Sequence, residues 1–123
     1  MMHWHTVKNS FVNAWQGLLL AFKHEQSFRI QTVAALVILI LTLLLPLERW
    51  ERSLLILAAG GVLVLELVNS VVERFVDIVK PRIHEYAKEI KDLAAAAVFV
   101  MACTSAILAL IIFWPYIPLL TRV

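Results

Sequence analysis

A single cysteine, Cys103, excludes an intramolecular disulfide and a cysteine-built zinc cluster in this 123-residue chain. It lies in an apolar run and reads as a small packed hydrophobe. Glycine is scarce, with three in all, and neither GxxxxGK nor GxGxxG occurs. Any phosphate handled here must be held without a glycine-rich loop. An excess of one charge is also missing. A net charge of +2 gives no footprint for nucleic acid. Lys8, Asn9, Asn13, Gln16, Lys23, His24 and Glu25 interrupt the first 28 residues, which predicts no cleavable signal peptide. Repeats, low-complexity tracts and lipidation motifs are absent as well.

What is abundant is apolar surface. The chain is 62% hydrophobic, with a mean hydropathy of +0.86. A soluble domain of this size cannot bury so much, so the sequence predicts an all-α, multi-pass membrane protein with one domain over 1–123. Residues 6–27 predict an amphipathic helix lying in the membrane interface. Phe11, Trp15, Leu18 and Phe22 form one face, with Asn9, Asn13 and Gln16 opposite. Three membrane spans are expected, at about 29–45, 54–77 and 93–114. Pro46 ends the first, and residues 48–52 form a short charged turn. Pro81 is expected to break the chain into a charged loop over 80–88. Gly60-Gly61 and Ala94–Ala97 suit close helix contact. Trp114 and Tyr116 mark an interface.

Four polar residues interrupt the second span: Glu66, Asn69, Glu73 and Asp77. At about 100° per residue they fall within roughly 80° of one helical face. An ionisable group at membrane depth costs at least about 2.5–3.5 kcal/mol. A network that merely fixes helix assembly needs fewer acids. The stripe points instead to a hard cation with phosphate, together with general-base work; Mg²⁺ prefers one or two carboxylates plus substrate phosphates.

Lys91-Asp92 stands at the start of the third span, where a lysine can snorkel or meet phosphate as a point charge. Glu25 and Arg29 are spaced for an i,i+4 helical ion pair, and Glu25 is the acid outside the stripe best placed to add a metal carboxylate. His84 can touch a nucleotide or simply face solvent. His3-Trp4-His5 reads as a frayed end with Trp4 as an interfacial anchor. Lys8, Lys23, Arg29, Arg74, Lys80, Arg82, Lys88 and Lys91 fall on one side of the expected topology, and Arg49, Arg52 and Arg122 on the other. The positive-inside rule then predicts a cytoplasmic N-terminus.

At the motif Glu66-Leu67-Val68-Asn69-Ser70-Val71-Val72-Glu73, with Asp77 four residues on and Lys91-Asp92 before Ala94–Val98, the chain resembles the prokaryotic diacylglycerol kinase family. These are small integral-membrane lipid kinases. Ala14, Gly17-Leu18, Glu25 and Phe28-Arg29 extend the resemblance over nearly the whole length. It implies transfer of the γ-phosphoryl group of ATP to a lipid hydroxyl in the bacterial cytoplasmic membrane. Glu66 would be the general base, and Glu25 and Glu73 would hold Mg²⁺ on ATP. Lys91, Asp92 and His84 would contact the nucleotide, with Asn69 and Asp77 in support. Asn13, Gln16, Arg29 and Glu66 would meet the lipid. The resemblance also implies a homotrimer with active sites shared between neighbours. Diacylglycerol is the expected acceptor, because Asn13 and Gln16 could donate to its ester carbonyls. Undecaprenol is the alternative, since Glu25–Ile30 looks closer to that branch. Where many members carry glycine or serine after Lys91-Asp92, this chain has alanines. A channel or transporter subunit is a more distant alternative, disfavoured by the dry apolar runs Val33–Leu45 and Leu54–Leu65.

Overall fold

The computed structural model describes residues 3–122, and every described element is helical. Helix α1 spans Trp4–His24, α2 spans Gln26–Leu44, and α3 runs from Arg49 to Phe113. A 3₁₀ turn at Trp114–Tyr116 and the short α4, Ile117–Leu120, close the chain.

Helices α1 and α2 meet at one residue. Glu25 alone leaves the helical region (φ −110°, ψ 107°), two residues before the end expected for the amphipathic helix. Arg29 explains why α1 stops there. Its Nη1 donates to the carbonyls of Phe22 and Lys23 at 2.8 and 2.9 Å. These are among the last-turn carbonyls that a helix end leaves unpaired. The expected Glu25–Arg29 helical pair does not form, because Glu25 is not helical and Arg29 is occupied.

The charged segment expected as a loop over 80–88 is helical instead. Pro81 sits within α3, and the one non-helical residue of that helix is Ile83 (φ −118°, ψ 25°). The ring of Pro81 leaves the Asp77 carbonyl without its helical N–H partner, and two residues later the chain turns. The arms on either side of Ile83 run back against each other. Lys91 meets Asp77, Ser105 Oγ donates to the Ala58 carbonyl, and Tyr116 donates to Glu51. By length and apolarity, two helices could cross a membrane: α2 and the stretch Arg49–Leu120.

The end of the hairpin far from Ile83 is stitched by polar contacts around an apolar cluster. Glu48 and Glu51 form a reciprocal capping box at the start of α3. The Tyr116 hydroxyl donates to buried Glu51 at 2.9 Å. Arg52 donates to the Thr42 and Leu45 carbonyls and so secures the end of α2. Leu45, Leu47, Leu55 and Ile112 pack beneath. Most other large apolar side chains are exposed, including Phe11, Trp15, Leu43, Phe75 and Ile111. Surface of that kind belongs against lipid or other chains.

The two adjacent glycines differ in what they face. A Cβ at Gly61 would stand 2.6 Å from Met101 Cε on the opposite arm, while one at Gly60 meets nothing within 4 Å. Gly61→Leu is therefore expected to lower stability by about 1–3 kcal/mol through overpacking. Gly60→Leu should be neutral or better. Thermal unfolding in one detergent checks the pair, and equal effects would show that the arms do not meet at Gly61.

Candidate functional site

The stripe survives folding as one face of the first arm of α3. Glu66 is buried, at 6% exposure, and the Ser70 hydroxyl donates to its main-chain carbonyl at 3.1 Å. That bond leaves the carboxylate free. Asn69 Nδ2 reaches Glu73 Oε1 at a long 3.5 Å, and Asn69 Oδ1 is buried with no partner. An orphaned acceptor of this kind costs about 1–3 kcal/mol and marks a place where a donor is expected.

Glu25 comes to the stripe from the joint between α1 and α2. Its carboxylate and that of Glu73 both act electrostatically on Glu66. Glu25 Oε1 lies 3.7 Å from Arg74 Nη2, beyond hydrogen-bond range. Three carboxylates of like charge, two with only weak partners, suit a cation. Among the described residues no group of three or more His, Cys, Asp or Glu side chains could hold a metal alone. The arrangement fits an ion such as Mg²⁺, which takes part of its shell from phosphate and water.

The second arm supplies cations to the same end. Lys91 Nζ donates to Asp77 Oδ1 at 2.6 Å, and Glu73 acts on it from farther off. The bond to Asp77, above all, holds the Lys91 ammonium above the ordinary lysine range, so it is charged at any physiological pH. Lys88 Nζ donates to Asp92 at 2.6 Å. Lys80, His84, Lys88, Lys91 and Asp92 line an open cleft of about 310 Å³. His84 thus joins the lysines rather than the acids. Asp92 turns to Lys88, a pairing that the sequence reading missed although i,i+4 spacing signals it.

A separate apolar groove of about 460 Å³ lies between α1 and α3. Ala14, Gly17, Leu18 and Ala21 line one side, and Leu67, Ser70, Val71 and Arg74 the other. Asn13 and Gln16 are exposed on α1 but do not line it. Arg29, expected at the lipid, is committed to the end of α1. Arg74 and Ser70 were not foreseen as lining residues, and their place beside the stripe was the available signal.

Taken together, a buried base candidate, flanking carboxylates and an apolar groove lie along the half of the first arm that leads to Ile83, and the cleft of lysines follows at the turn itself. The sequence pattern described as prokaryotic diacylglycerol kinase matches residues 12–113. The undecaprenol kinase of Bacillus subtilis is 39% identical over 106 residues, 86% of each chain. The diacylglycerol kinase of Escherichia coli K12 is 31% identical over 103 residues, 84% of each chain. That of Haemophilus influenzae is 38% identical over 95 residues, covering 77% of this chain and 80% of the relative.

Proposed function

Because this chain belongs to the prokaryotic diacylglycerol kinase family and is a membrane lipid kinase, we propose that it moves the γ-phosphoryl group of ATP to the primary hydroxyl of a lipid whose tail lies in the α1–α3 groove. The observation that carries this reading is Glu66. It is a buried carboxylate with Glu25 and Glu73 acting on it. Lys91, bonded to Asp77 at the Ile83 end of the same stripe, adds a fixed cation.

Glu66 takes the proton of the lipid hydroxyl as its oxygen attacks the γ-phosphorus. The bond to the bridging oxygen breaks, and ADP leaves. Glu25 and Glu73 would hold Mg²⁺, which when bound neutralises charge on the phosphates. Lys91 and Lys88 meet phosphate oxygens in the cleft, and His84 and Asp92 border it. Asn69 steadies Glu73, and Asp77 steadies Lys91. The channel alternative gives way to the family.

α2 and the two arms of α3 make three spans, and α1 lies in the interface. The basic residues gather at the Ile83 end, which favours a cytoplasmic N-terminus and places the lysine cleft where ATP is. The exposed apolar flanks support a homotrimer whose neighbours help wall the site, in a bacterial cytoplasmic membrane.

Glu25→Ala and Glu73→Ala are each expected to raise the Mg²⁺ concentration for half-maximal activity by about tenfold or more. Activity against Mg²⁺ at fixed ATP checks this. Unmoved curves in both variants would remove the metal assignment.

Diacylglycerol is the acceptor proposed first. Asn13 and Gln16 are exposed on α1 and free to donate to ester carbonyls. One observation favours undecaprenol as a second reading: the groove lining is apolar but for Ser70 and Arg74, which suits a bare hydrocarbon tail. Labelled ATP offered with both lipids side by side decides. A higher kcat/KM for diacylglycerol, reduced by Asn13→Ala and Gln16→Ala, supports the first. A preference for undecaprenol untouched by those substitutions moves the assignment to the second.

A further inference from the structure

Arg74 has no part in the chemistry above, yet its place is specific. Among the described residues it is the one charged side chain lining the α1–α3 groove, on the same α3 row as Leu67, Ser70 and Val71. Its side chain is about half exposed, at 48%. Its one carboxylate neighbour, Glu25, stands off at 3.7 Å. Arg29, four residues after Glu25, is by contrast spent on two carbonyls. Arg74 is therefore a cation with unspent hydrogen-bond donors beside an apolar tail site.

We infer that Arg74 binds the phosphomonoester headgroup of the lipid product while its tail lies in the groove. This rests on the reading that the groove takes the acceptor lipid. The neutral acceptor has nothing for a guanidinium to pair with. The reaction puts a dianionic phosphate on that headgroup, which a planar guanidinium can take bidentately. Arg74 then exchanges a distant carboxylate for a close phosphate. It distinguishes product from substrate, and turnover is slowed by product that lingers.

The test is binding to the full-length protein in phosphatidylcholine nanodiscs, without ATP. The probes are short-chain phosphatidic acid, the matched diacylglycerol and inorganic phosphate. Phosphatidic acid is expected to bind more tightly than either of the others. Arg74→Gln should weaken it about tenfold and leave diacylglycerol unchanged. Arg74→Lys should keep part of the preference, and it serves if the glutamine variant misfolds. Gly17→Leu probes the groove independently. A Cβ there meets nothing within 4 Å, so the leucine is tolerated by the backbone and projects into open space. It should weaken both lipids. The proposal is overturned if Arg74→Gln leaves the preference intact, if inorganic phosphate binds as well as phosphatidic acid, or if Gly17→Leu changes neither lipid. None of these readings needs turnover, so failure of the acceptor assay would be seen separately from failure of Arg74.

Discussion

Glu66→Gln is expected to lower kcat by about 10²–10⁴-fold while the protein still folds and assembles. Gln keeps the shape and loses the base. Glu66 makes this prediction sharp because it is buried yet receives no bond to its carboxylate from Ser70, whose hydroxyl goes to the main chain instead. A purely structural carboxylate at this depth would be wrapped by donors. Binding of ATP should change little, so the loss should appear in kcat rather than in the KM for ATP. Near-normal turnover in an assembled Glu66→Gln protein would remove it from the base role.

Lys91→Met should be almost as damaging, with a loss of about 10²–10³-fold, since it removes a fixed positive charge beside developing phosphate charge. Asp77→Asn separates the two tasks of that pair. It leaves the ammonium in place but unanchored, so a smaller loss is expected, mostly in the KM for ATP. Mixing Glu66→Gln chains with Lys91→Met chains before assembly then asks where one site's parts come from. Within this chain Lys91 bonds Asp77 and feels Glu73, both on the Glu66 helix. Those contacts lie well along the helix from Glu66, which stands about 16 Å of helix from Asp77, so a neighbour's Lys91 can serve it. With active sites shared between neighbours of a trimer, about a quarter of the sites in an equal mixture regain both residues, and mixing is expected to restore part of the activity. No recovery would place both residues of a site in one chain.

The acidic stripe was legible because helical periodicity alone aligns Glu66, Asn69, Glu73 and Asp77, whatever packs against them. The kinase family was legible in the same residues together with Lys91-Asp92. Helix ends were less so. Charge and Pro81 argued for a loop at 80–88, but proline removes only one backbone bond, and the helix resumes once Ile83 has absorbed the turn. Arg29 misled for a related reason. Its i,i+4 spacing from Glu25 has meaning only inside a helix, and Arg29 itself ends the helix by capping α1. The groove could not be read at all. It exists because α1 folds back beside α3, a tertiary event that turns on the backbone of Glu25.

The hairpin of α3 is pinned at both ends, by Lys91–Asp77 near Ile83 and by Tyr116–Glu51 far from it. It therefore acts as a frame of fixed gauge. One residue added to either arm between the pins would turn everything beyond it by about 100° and advance it 1.5 Å. Sliding cannot absorb that, because holding one pin in register breaks the other. The scaffold thus fixes the length of each arm: additions belong before α1, after α4 or at the Ile83 turn, and between the pins they must appear as a bulge.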